Sequence, residues 1–233
     1  MGRVGVTVAE RLAEVRSRIA AAAERSGRDP SEVTLVSVSK KQPAESIVAA
    51  HAAGCRDFGE NYVQELADKA GTLAGDALAG DVLRWHFIGH LQRNKANALL
   101  AIPGLALVHG IESPRLVAAL DRRAERPLDV LIQVDVAGEE SKSGCRPGEL
   151  DAVLDAVAAA SHVRACGLMT MPPFGDPEQA RPHFAALREL RDAHGGAARL
   201  PELSMGMSND FEIAIEEGAT LVRVGSAIFG ARG

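Results

Sequence analysis

Aromatic residues are scarce in this sequence, which contains six Phe, one Tyr and one Trp among 233 residues. A protein that binds nucleic acid by base stacking needs several exposed aromatic side chains, so this scarcity excludes such a platform. Any catalytic scheme that requires a tyrosine depends on Tyr62 alone. The formal net charge of −5 gives no electrostatic reason to expect DNA, RNA or an anionic membrane as a partner.

Cysteines are few, and long apolar runs are missing. Cys55, Cys145 and Cys166 form no close pair and no cluster with metal-ligand spacing, so we expect no structural zinc. An odd number of cysteines fits a reducing compartment. No stretch reaches membrane-spanning length, and the first residues contain no apolar signal-peptide core. We therefore expect a cytoplasmic protein without a membrane partner and, since no dimerisation device is visible, a monomer.

Strands and helices are predicted to alternate along the chain. Thr7 and Glu10 have the spacing of a capping box, which predicts an N-terminal helix over residues 7–27. Ser113 and Pro114 are typical of an N-cap and a first helical residue. Apolar and β-branched runs predict eight strands, at residues 34–39, 56–59, 85–89, 105–109, 128–136, 163–170, 203–205 and 221–224.

Eight strands separated by helices are typical of a single (β/α)₈ barrel of the TIM type, an α/β fold. The predicted strands are almost continuously apolar, as expected of a parallel sheet buried on both faces. We expect residues 1–233 to form one domain, with the extra N-terminal helix packed on the barrel. A doubly wound open sheet is the alternative architecture, and the strand count and the closing helix favour the barrel.

Candidate functional residues lie at the carboxyl ends of the predicted strands, where barrel enzymes carry their chemistry. Partly apolar surroundings at this edge can lower the pKa of a lysine and make it a Schiff-base amine, and Lys40 is the candidate. The alternative is that Lys40 and Lys41 are a solvated strand end. The candidates at these strand ends are Lys40, Asn61, His86, Ser204, Gly206, Arg223, Gly225 and Ser226.

Two turns rich in serine and glycine follow the last two predicted strands, at residues 204–210 and 223–226. Such turns present backbone N–H groups and hydroxyls to an anion, although capping alone explains either one. Their occurrence in consecutive units favours a phosphate site. Together with a candidate Schiff-base lysine, they indicate a phosphorylated aldehyde as the ligand.

Seven strings in order along the chain are distinctive: VSK at 38–40, FGENYVQE at 58–65, WHFIGHLQRNK at 85–95, SKSG at 141–144, GLMTM at 167–171, LSMGMS at 203–208 and VRVGSAIFG at 222–230. They closely resemble the pyridoxal phosphate homeostasis protein family, and the match covers nearly the whole chain. The resemblance implies a fold-type III barrel, shared with the N-terminal domain of alanine racemase, that binds pyridoxal 5′-phosphate. It also implies a role in the intracellular homeostasis, buffering and delivery of this cofactor to apo-enzymes.

The resemblance further implies individual roles. Lys40 would hold the cofactor covalently as a lysine aldimine, and Arg223 would face the pyridine nitrogen. Asn61 and His86 would line the cofactor pocket. The positions on the phosphate side would be Ser204, Gly206, Met207, Gly225 and Ser226.

An arginine opposite the pyridine nitrogen limits what the cofactor can do. Arginine does not give up its proton, so the ring nitrogen stays unprotonated and the ring is a poorer electron sink. This disfavours transamination and decarboxylation and leaves racemisation or no turnover. In alanine racemase, which the chain resembles, the second base is a tyrosine from a β-rich domain. We expect no such domain here, because the chain ends just after the eighth predicted strand, and nothing indicates that Tyr62 reaches the cofactor.

We therefore expect a cofactor-binding protein that is not an enzyme and has no catalytic residue. A small pyridoxal phosphate-dependent amino-acid racemase is the main alternative, and a Schiff-base aldolase on the same barrel is another. Lys142 lies in a polar loop, where a solvated lysine and a lysine that relays the aldehyde are both open. His86 and His90 have the spacing of helical metal ligands, but they fall on a predicted strand and its exit with no adjacent acidic ligand, so we expect no metal.

Overall fold

The computed structural model describes residues 6–74, 83–138 and 143–230. Eight parallel strands close into a barrel in sequence order, which confirms the predicted (β/α)₈ fold and excludes the open sheet. The strands are β1 (Thr34–Val38), β2 (Asp57–Glu60), β3 (Arg84–Phe87), β4 (Leu105–Ile111), β5 (Leu128–Gln133), β6 (Val163–Met169), β7 (Glu202–Ser204) and β8 (Leu221–Val224).

Helices surround the barrel, and those of the described ranges are too short or too polar to cross a membrane. Short 3₁₀ turns precede β1, α4 and α6. The α-helices are α1 (Val8–Arg25), α2 (Ala44–Ala52), α3 (Val63–Thr72), α4 (Ala96–Leu100), α5 (Pro114–Asp121), α6 (Leu150–Ala158), α7 (Pro177–Ala193), α8 (Gly196–Arg199), α9 (Phe211–Glu216) and α10 (Ser226–Phe229).

The N-terminal helix α1 begins at the predicted capping box. The Thr7 hydroxyl accepts from the Glu10 backbone N–H, while the Glu10 carboxylate accepts from the Thr7 backbone N–H, so each satisfies a donor of the first turn. The apolar face of α1 packs against α2, α9 and α10. Arg18 adds an ion pair of 2.7 Å to Glu212 on α9. The helix therefore covers the part of the barrel that follows β7 and β8.

The barrel interior contains its own apolar layer, formed by Val36, Leu107, Leu131, Met169 and Leu221. Side chains alternate along a strand, so the residues two positions further on also point inward and lie closer to the carboxyl ends. These positions include His109 on β4 and Arg223 on β8, both of which are buried. A polar layer therefore lies above the apolar one, inside the barrel.

Some boundaries differ from the predicted ones for local reasons. The fifth strand ends at Gln133 rather than at residue 136, because Cys145 takes over the pairing: its N–H donates to the Gln133 carbonyl, and its carbonyl accepts from Asp135. The helical segment after β3 starts with a 3₁₀ turn, Arg93–Lys95, before α4 begins. The short helix α8 was not predicted, because it starts after a left-handed glycine, Gly195, that is typical of a turn.

Candidate functional site

A cavity of about 290 Å³ lies at the carboxyl ends of the barrel strands. Side chains reach it from beyond β1 and β2, from β8, and from the segments that follow β6 and β7. His86, Ser204 and Gly206 were predicted as site residues but are not part of its lining among the described residues. The predicted residues that do line it are Lys40, Asn61, Met207, Arg223, Gly225 and Ser226.

The segment that carries Lys40 is anchored on both sides. Ser39 is fully buried, and its hydroxyl donates to Glu60 Oε1 at 2.7 Å. Lys41 adopts a left-handed backbone conformation with a φ of 61°, and its backbone N–H donates to the Glu65 carboxylate. Because both neighbours are held, Lys40 has a defined starting point from which its side chain lines the cavity.

A buried ion pair supports this segment from the outside of the barrel. Lys69 on α3 donates to Glu60 Oε1, to Glu65 Oε1 and to the Ser39 carbonyl, each at 2.7 Å. Burial raises the pKa of Glu60, while the bonds from Lys69 and Ser39 act in the opposite direction. Neither Glu60 nor Lys69 was predicted as a site residue. The available signal was a carboxylate at the end of a buried strand and a lysine nine residues later on the apolar face of a helix.

Asn61 follows β2 and presents a buried acceptor at the cavity. Its Oδ1 atom has no hydrogen-bond partner within the described ranges. The backbone of Gly89 crosses directly over this position, so that a Cβ on Gly89 would lie 2.0 Å from the Asn61 carbonyl oxygen. Only glycine permits this approach. The glycine in the WHFIGH string therefore fixes where Asn61 sits, and a ligand with a donor group can satisfy its side chain.

Arg223 on β8 is the buried cation of the cavity. Its Nη2 donates to the Thr170 carbonyl at 2.8 Å, and its Nη1 donates to the Ser204 hydroxyl oxygen at 2.5 Å. Burial lowers the pKa of Arg223 to about 10, and the nearby Asp210 carboxylate opposes this shift. The guanidinium therefore remains protonated at neutral pH and can act only as a donor.

Three predicted residues lie below the cavity or support its turns. Ser204 is fully buried, and its hydroxyl contacts His109 as well as Arg223. His86 lies deeper than expected, with its ring bonded to Asp57 on one side and to His109 on the other. Gly206 has a φ of +90°, and a Cβ there would lie 2.5 Å from the Ala214 Cβ, so the turn between β7 and α9 requires glycine.

The turns after β7 and β8 are tied together by a serine that we did not single out. The Ser208 hydroxyl accepts from the backbone N–H groups of Gly225 at 3.2 Å and Ala227 at 3.4 Å. Within the described ranges, the backbone N–H groups of Ser208, Asn209 and Ser226 donate no hydrogen bond, although these residues line the cavity. The turns thus offer several donors to an anion, as their composition predicted.

Other residues raised by the sequence lie elsewhere. The Tyr62 residue is 56% exposed and does not line the cavity. His90 pairs with Glu112 at 3.3 Å, and no group of three potential metal ligands occurs in the part of the chain that the structure describes. Burial raises the pKa of the Cys145 thiol to about 12. Lys142 lies outside the described residues.

Comparisons with known proteins identify the family. The family profile described as "Alanine racemase, N-terminal domain" matches residues 11–233. The Pyridoxal phosphate homeostasis protein of Pseudomonas aeruginosa is 45% identical over 231 residues, which cover 97% of this chain and 96% of that protein. The chain belongs to the pyridoxal phosphate homeostasis protein family. The human member is 40% identical over 235 residues, covering 95% of this chain and 85% of its own length.

Solved structures agree with this assignment. The structure of PipY from Synechococcus elongatus with PLP bound is 37% identical, has a TM-score of 0.80, and covers 96% of this chain and 100% of that one. The alanine racemase of Corynebacterium glutamicum shares the fold at 21% identity and a TM-score of 0.66, with 95% of this chain and 62% of that chain covered. The predicted fold relationship with alanine racemase is confirmed.

Proposed function

We propose that this protein binds pyridoxal 5′-phosphate in the cavity above the barrel, through a Schiff base between the cofactor aldehyde and Lys40 Nζ. The observation that carries the proposal is the meeting of Lys40, Arg223 and the donor-rich turns around one cavity of about 290 Å³. A lysine for the aldehyde, a donor for the ring nitrogen and donors for the phosphate are the three contacts such a ligand requires. Membership in the homeostasis family and the cofactor-bound PipY structure support the same ligand.

The phosphate group fits the turns after β7 and β8. Backbone N–H groups of Ser208, Asn209 and Ser226 are available there, and the Ser226 hydroxyl adds another donor. The Ser208 hydroxyl is engaged with the backbone of the neighbouring turn, so its role is to hold the two turns in register. Met207 and Gly225 also line the cavity. The donors are preorganised, and an anion accepts from them without rearrangement of the turns.

The ring end of the cavity favours holding the cofactor over turning over substrate. Arg223 keeps its proton at neutral pH, since its pKa is about 10, and it therefore donates to the ring nitrogen without protonating it. An unprotonated ring withdraws electrons weakly, which slows every reaction that forms a carbanion next to the imine. The Asn61 Oδ1 atom is an acceptor that the described protein leaves unsatisfied, and it suits a donor on the ligand.

The described residues of the cavity wall offer no histidine, tyrosine or cysteine as a second acid/base group. Its titratable side chains other than Lys40 and Arg223 are Asp176 and Asp210. Each of these carboxylates accepts a backbone N–H: Asp176 from Glu178 in the first turn of α7 at 3.0 Å, and Asp210 from Met207 in the turn before α9 at 2.6 Å. Two-base racemisation needs a group on the face opposite the lysine. These features support a reversible carrier that buffers the cofactor and delivers it to apo-enzymes, with the racemase as the alternative.

Absorption spectroscopy of the purified protein tests the binding mode. We expect added pyridoxal phosphate to give an imine absorption band, and borohydride reduction followed by mass spectrometry to locate the pyridoxyl group on Lys40. Lys40→Ala abolishes both signals. Lys41→Asn is the matched control, because asparagine tolerates the left-handed backbone at that position, and it retains both signals. A pyridoxyl group on another lysine of the wild-type protein contradicts the proposal.

Two further measurements separate a carrier from an enzyme. The loaded protein is incubated with L-amino acids in heavy water, and deuterium at Cα is followed by mass spectrometry. A carrier exchanges no more than about one equivalent per protein, whereas sustained exchange over many turnovers supports the racemase.

Transfer of the cofactor is measured by mixing the loaded protein with an apo-enzyme and recording the activity that the apo-enzyme regains. An apo-enzyme that regains activity no faster than cofactor is released into buffer contradicts direct delivery.

A further inference from the structure

A continuous chain of hydrogen bonds crosses the inside of the barrel below the cavity. Arg223 Nη1 contacts Ser204 Oγ at 2.5 Å, and Ser204 Oγ contacts His109 Nδ1 at 2.9 Å. His109 Nε2 contacts His86 Nδ1 at 2.9 Å, and His86 Nε2 contacts Asp57 Oδ1 at 2.8 Å. These five residues lie on β8, β7, β4, β3 and β2. We call them the interior chain.

The interior chain connects the two ends of the barrel. Its upper end, Arg223, lines the cofactor cavity. Its lower end, Asp57, is the first residue of β2 and lines a separate cavity of about 460 Å³ at the opposite face. The three residues between them are at most 1% exposed. A buried polar group without a partner is costly, so a chain of this length persists only if its donors and acceptors match at every bond.

Counting hydrogens fixes the direction of every bond. Arginine has donors only, and an ionised carboxylate accepts only, so the two ends are set. Four bonds need four hydrogens, and with neutral histidines Arg223, Ser204, His109 and His86 each supply one. Every bond then receives a hydrogen only if each group donates toward Asp57. This places the ring proton of both histidines on Nε2 and leaves both Nδ1 atoms as acceptors.

The surroundings of the histidines favour this neutral arrangement. Burial lowers the pKa of His109 well below its usual range, and the charge of Arg223 acts in the same direction. A doubly protonated His86 would donate to His109, which would then have to donate to Ser204. The Ser204 hydroxyl hydrogen would be left without an acceptor, because its described contacts are His109 and Arg223. Donation in one direction, from Arg223 toward Asp57, is the arrangement in which all five residues of the interior chain have their hydrogen-bonding groups paired.

We propose that Asp57, His86 and His109 are positioning residues of the cofactor site, which orient the Ser204 lone pair toward Arg223 and so hold the guanidinium opposite the ring of the bound cofactor. The role at the cofactor rests on the proposed function. None of the three residues is part of the described lining of the cofactor cavity. Asp57 fixes the proton position of His86, His86 fixes that of His109, and His109 accepts the Ser204 hydroxyl hydrogen, which frees the serine oxygen to accept from Arg223.

Asp57→Asn is the most informative variant. It preserves the shape of the side chain but replaces an acceptor-only carboxylate, which sets the direction of hydrogen-bond donation at this end of the interior chain. An asparagine amide both donates and accepts, so part of the molecules can adopt the reversed interior chain, at the cost of a Ser204 hydroxyl hydrogen that then has no acceptor. We expect the Nε2 proton of His86 and His109 in the wild-type protein to be visible by ¹⁵N NMR of the imidazole rings, without any cofactor. In Asp57→Asn we expect a second set of ring signals, from the Nδ1 tautomers.

Cofactor binding gives the second measurement. Loss of the fixed direction in Asp57→Asn, or of the middle of the chain in His109→Phe, weakens pyridoxal phosphate binding by about tenfold and shifts the imine absorption band. Arg84→Ala is the matched control. It removes the exposed ion pair of Arg84 with Asp57 at 3.3 Å and leaves the interior chain intact, so affinity and spectrum stay within twofold of wild type.

The outcomes distinguish this inference from the proposed function. A wild-type histidine of the chain that carries its proton on Nδ1 overturns the inference, whatever the cofactor does. Unchanged affinity and spectrum in both Asp57→Asn and His109→Phe, with binding still lost in Lys40→Ala, also overturn it while the proposed function stands. Wild-type binding that does not involve Lys40 contradicts the proposed function. The tautomers of His86 and His109 still test the direction of the hydrogen bonds in the interior chain.

Discussion

Lys69 Nζ lies 2.7 Å from Glu60 Oε1, in a position where the Glu60 side chain is fully buried and that of Lys69 is 9% exposed. The pair joins α3 to the end of β2, and through the Ser39 carbonyl it also holds the segment before Lys40. A buried ion pair contributes little net stability, but removing one partner leaves an uncompensated charge. Loss of the Lys69–Glu60 ion pair is therefore expected to lower the stability of the protein and to release the segment that carries Lys40.

Lys69→Met therefore lowers the free energy of unfolding by about 3 kcal/mol, as measured by urea denaturation. The loss arises because Glu60 remains buried without its cation. The double variant Lys69→Met/Glu60→Leu recovers most of the loss, since it removes both charges. Arg25→Met is the control: it breaks an exposed pair with Glu216 at 2.8 Å and costs less than about 1 kcal/mol. If Lys69→Met is as stable as Arg25→Met, the buried Lys69–Glu60 pair does not have the stabilising role assigned to it.

Much of the fold was predictable because its signals are local. Each strand is an apolar run that ends at a polar or glycine-containing turn, and the caps at Thr7 and Ser113 are read directly from residue types. The positions of Lys40 and Arg223 at the cavity follow from the rule that parallel strands present their carboxyl ends on one face. These predictions required no knowledge of which helix packs on which strand.

The supporting contacts could not be predicted in the same way. Glu60 meets Lys69, and Asp57 meets His86, across elements whose spacing is set by closure of the barrel. In sequence, a charged residue in a short strand indicates an exposed edge as readily as a buried partner. His109 resembles an ordinary strand residue until its neighbours are known. The family resemblance places Ser204 and Gly206 on the phosphate side, and turn composition alone does not distinguish a residue that contacts the ligand from one that supports the turn.

The stability of the protein near neutral pH depends on His109. Its folded-state pKa is depressed, mainly by burial, so between that value and 6.5 the unfolded chain binds a proton that the folded protein does not. The contribution is fully present above pH 6.5 and is lost as the pH falls below it, by at most about 1.4 kcal/mol per pH unit.

We expect His109→Phe to flatten this slope between pH 6.5 and 5, as measured by urea denaturation at each pH. Glu60 and Asp210 have raised pKa values and give a slope of the opposite sign at acidic pH, but they are common to both proteins. The difference between the two curves therefore isolates the histidine. Parallel curves for wild type and variant would show that His109 is not the group responsible.

The three cysteines are expected to be unreactive in the folded protein. Burial raises the pKa of the Cys145 and Cys166 thiols to about 12 and also raises that of Cys55. Relative to an ordinary thiol, the reactive thiolate of Cys145 and Cys166 is reduced by about a thousandfold at neutral pH. We expect a colorimetric disulfide reagent to label the native protein slowly and all three thiols rapidly in denaturant. Rapid native labelling of one thiol contradicts this assignment.

Two glycine-to-alanine substitutions should change stability in opposite directions. A Cβ at Gly89 would lie 2.0 Å from the Asn61 carbonyl oxygen, so Gly89→Ala forces the backbone apart and lowers the free energy of unfolding by about 2 kcal/mol. Asn61 moves with it, and pyridoxal phosphate affinity falls as well. Gly71 lies on α3, and apart from its own helix backbone and chain neighbours nothing lies within 4 Å of its Cβ position, so Gly71→Ala raises helix propensity and stabilises by up to about 1 kcal/mol. Urea denaturation measures both effects, and a neutral Gly89→Ala variant would mean that the crossing of the two backbones does not fix Asn61.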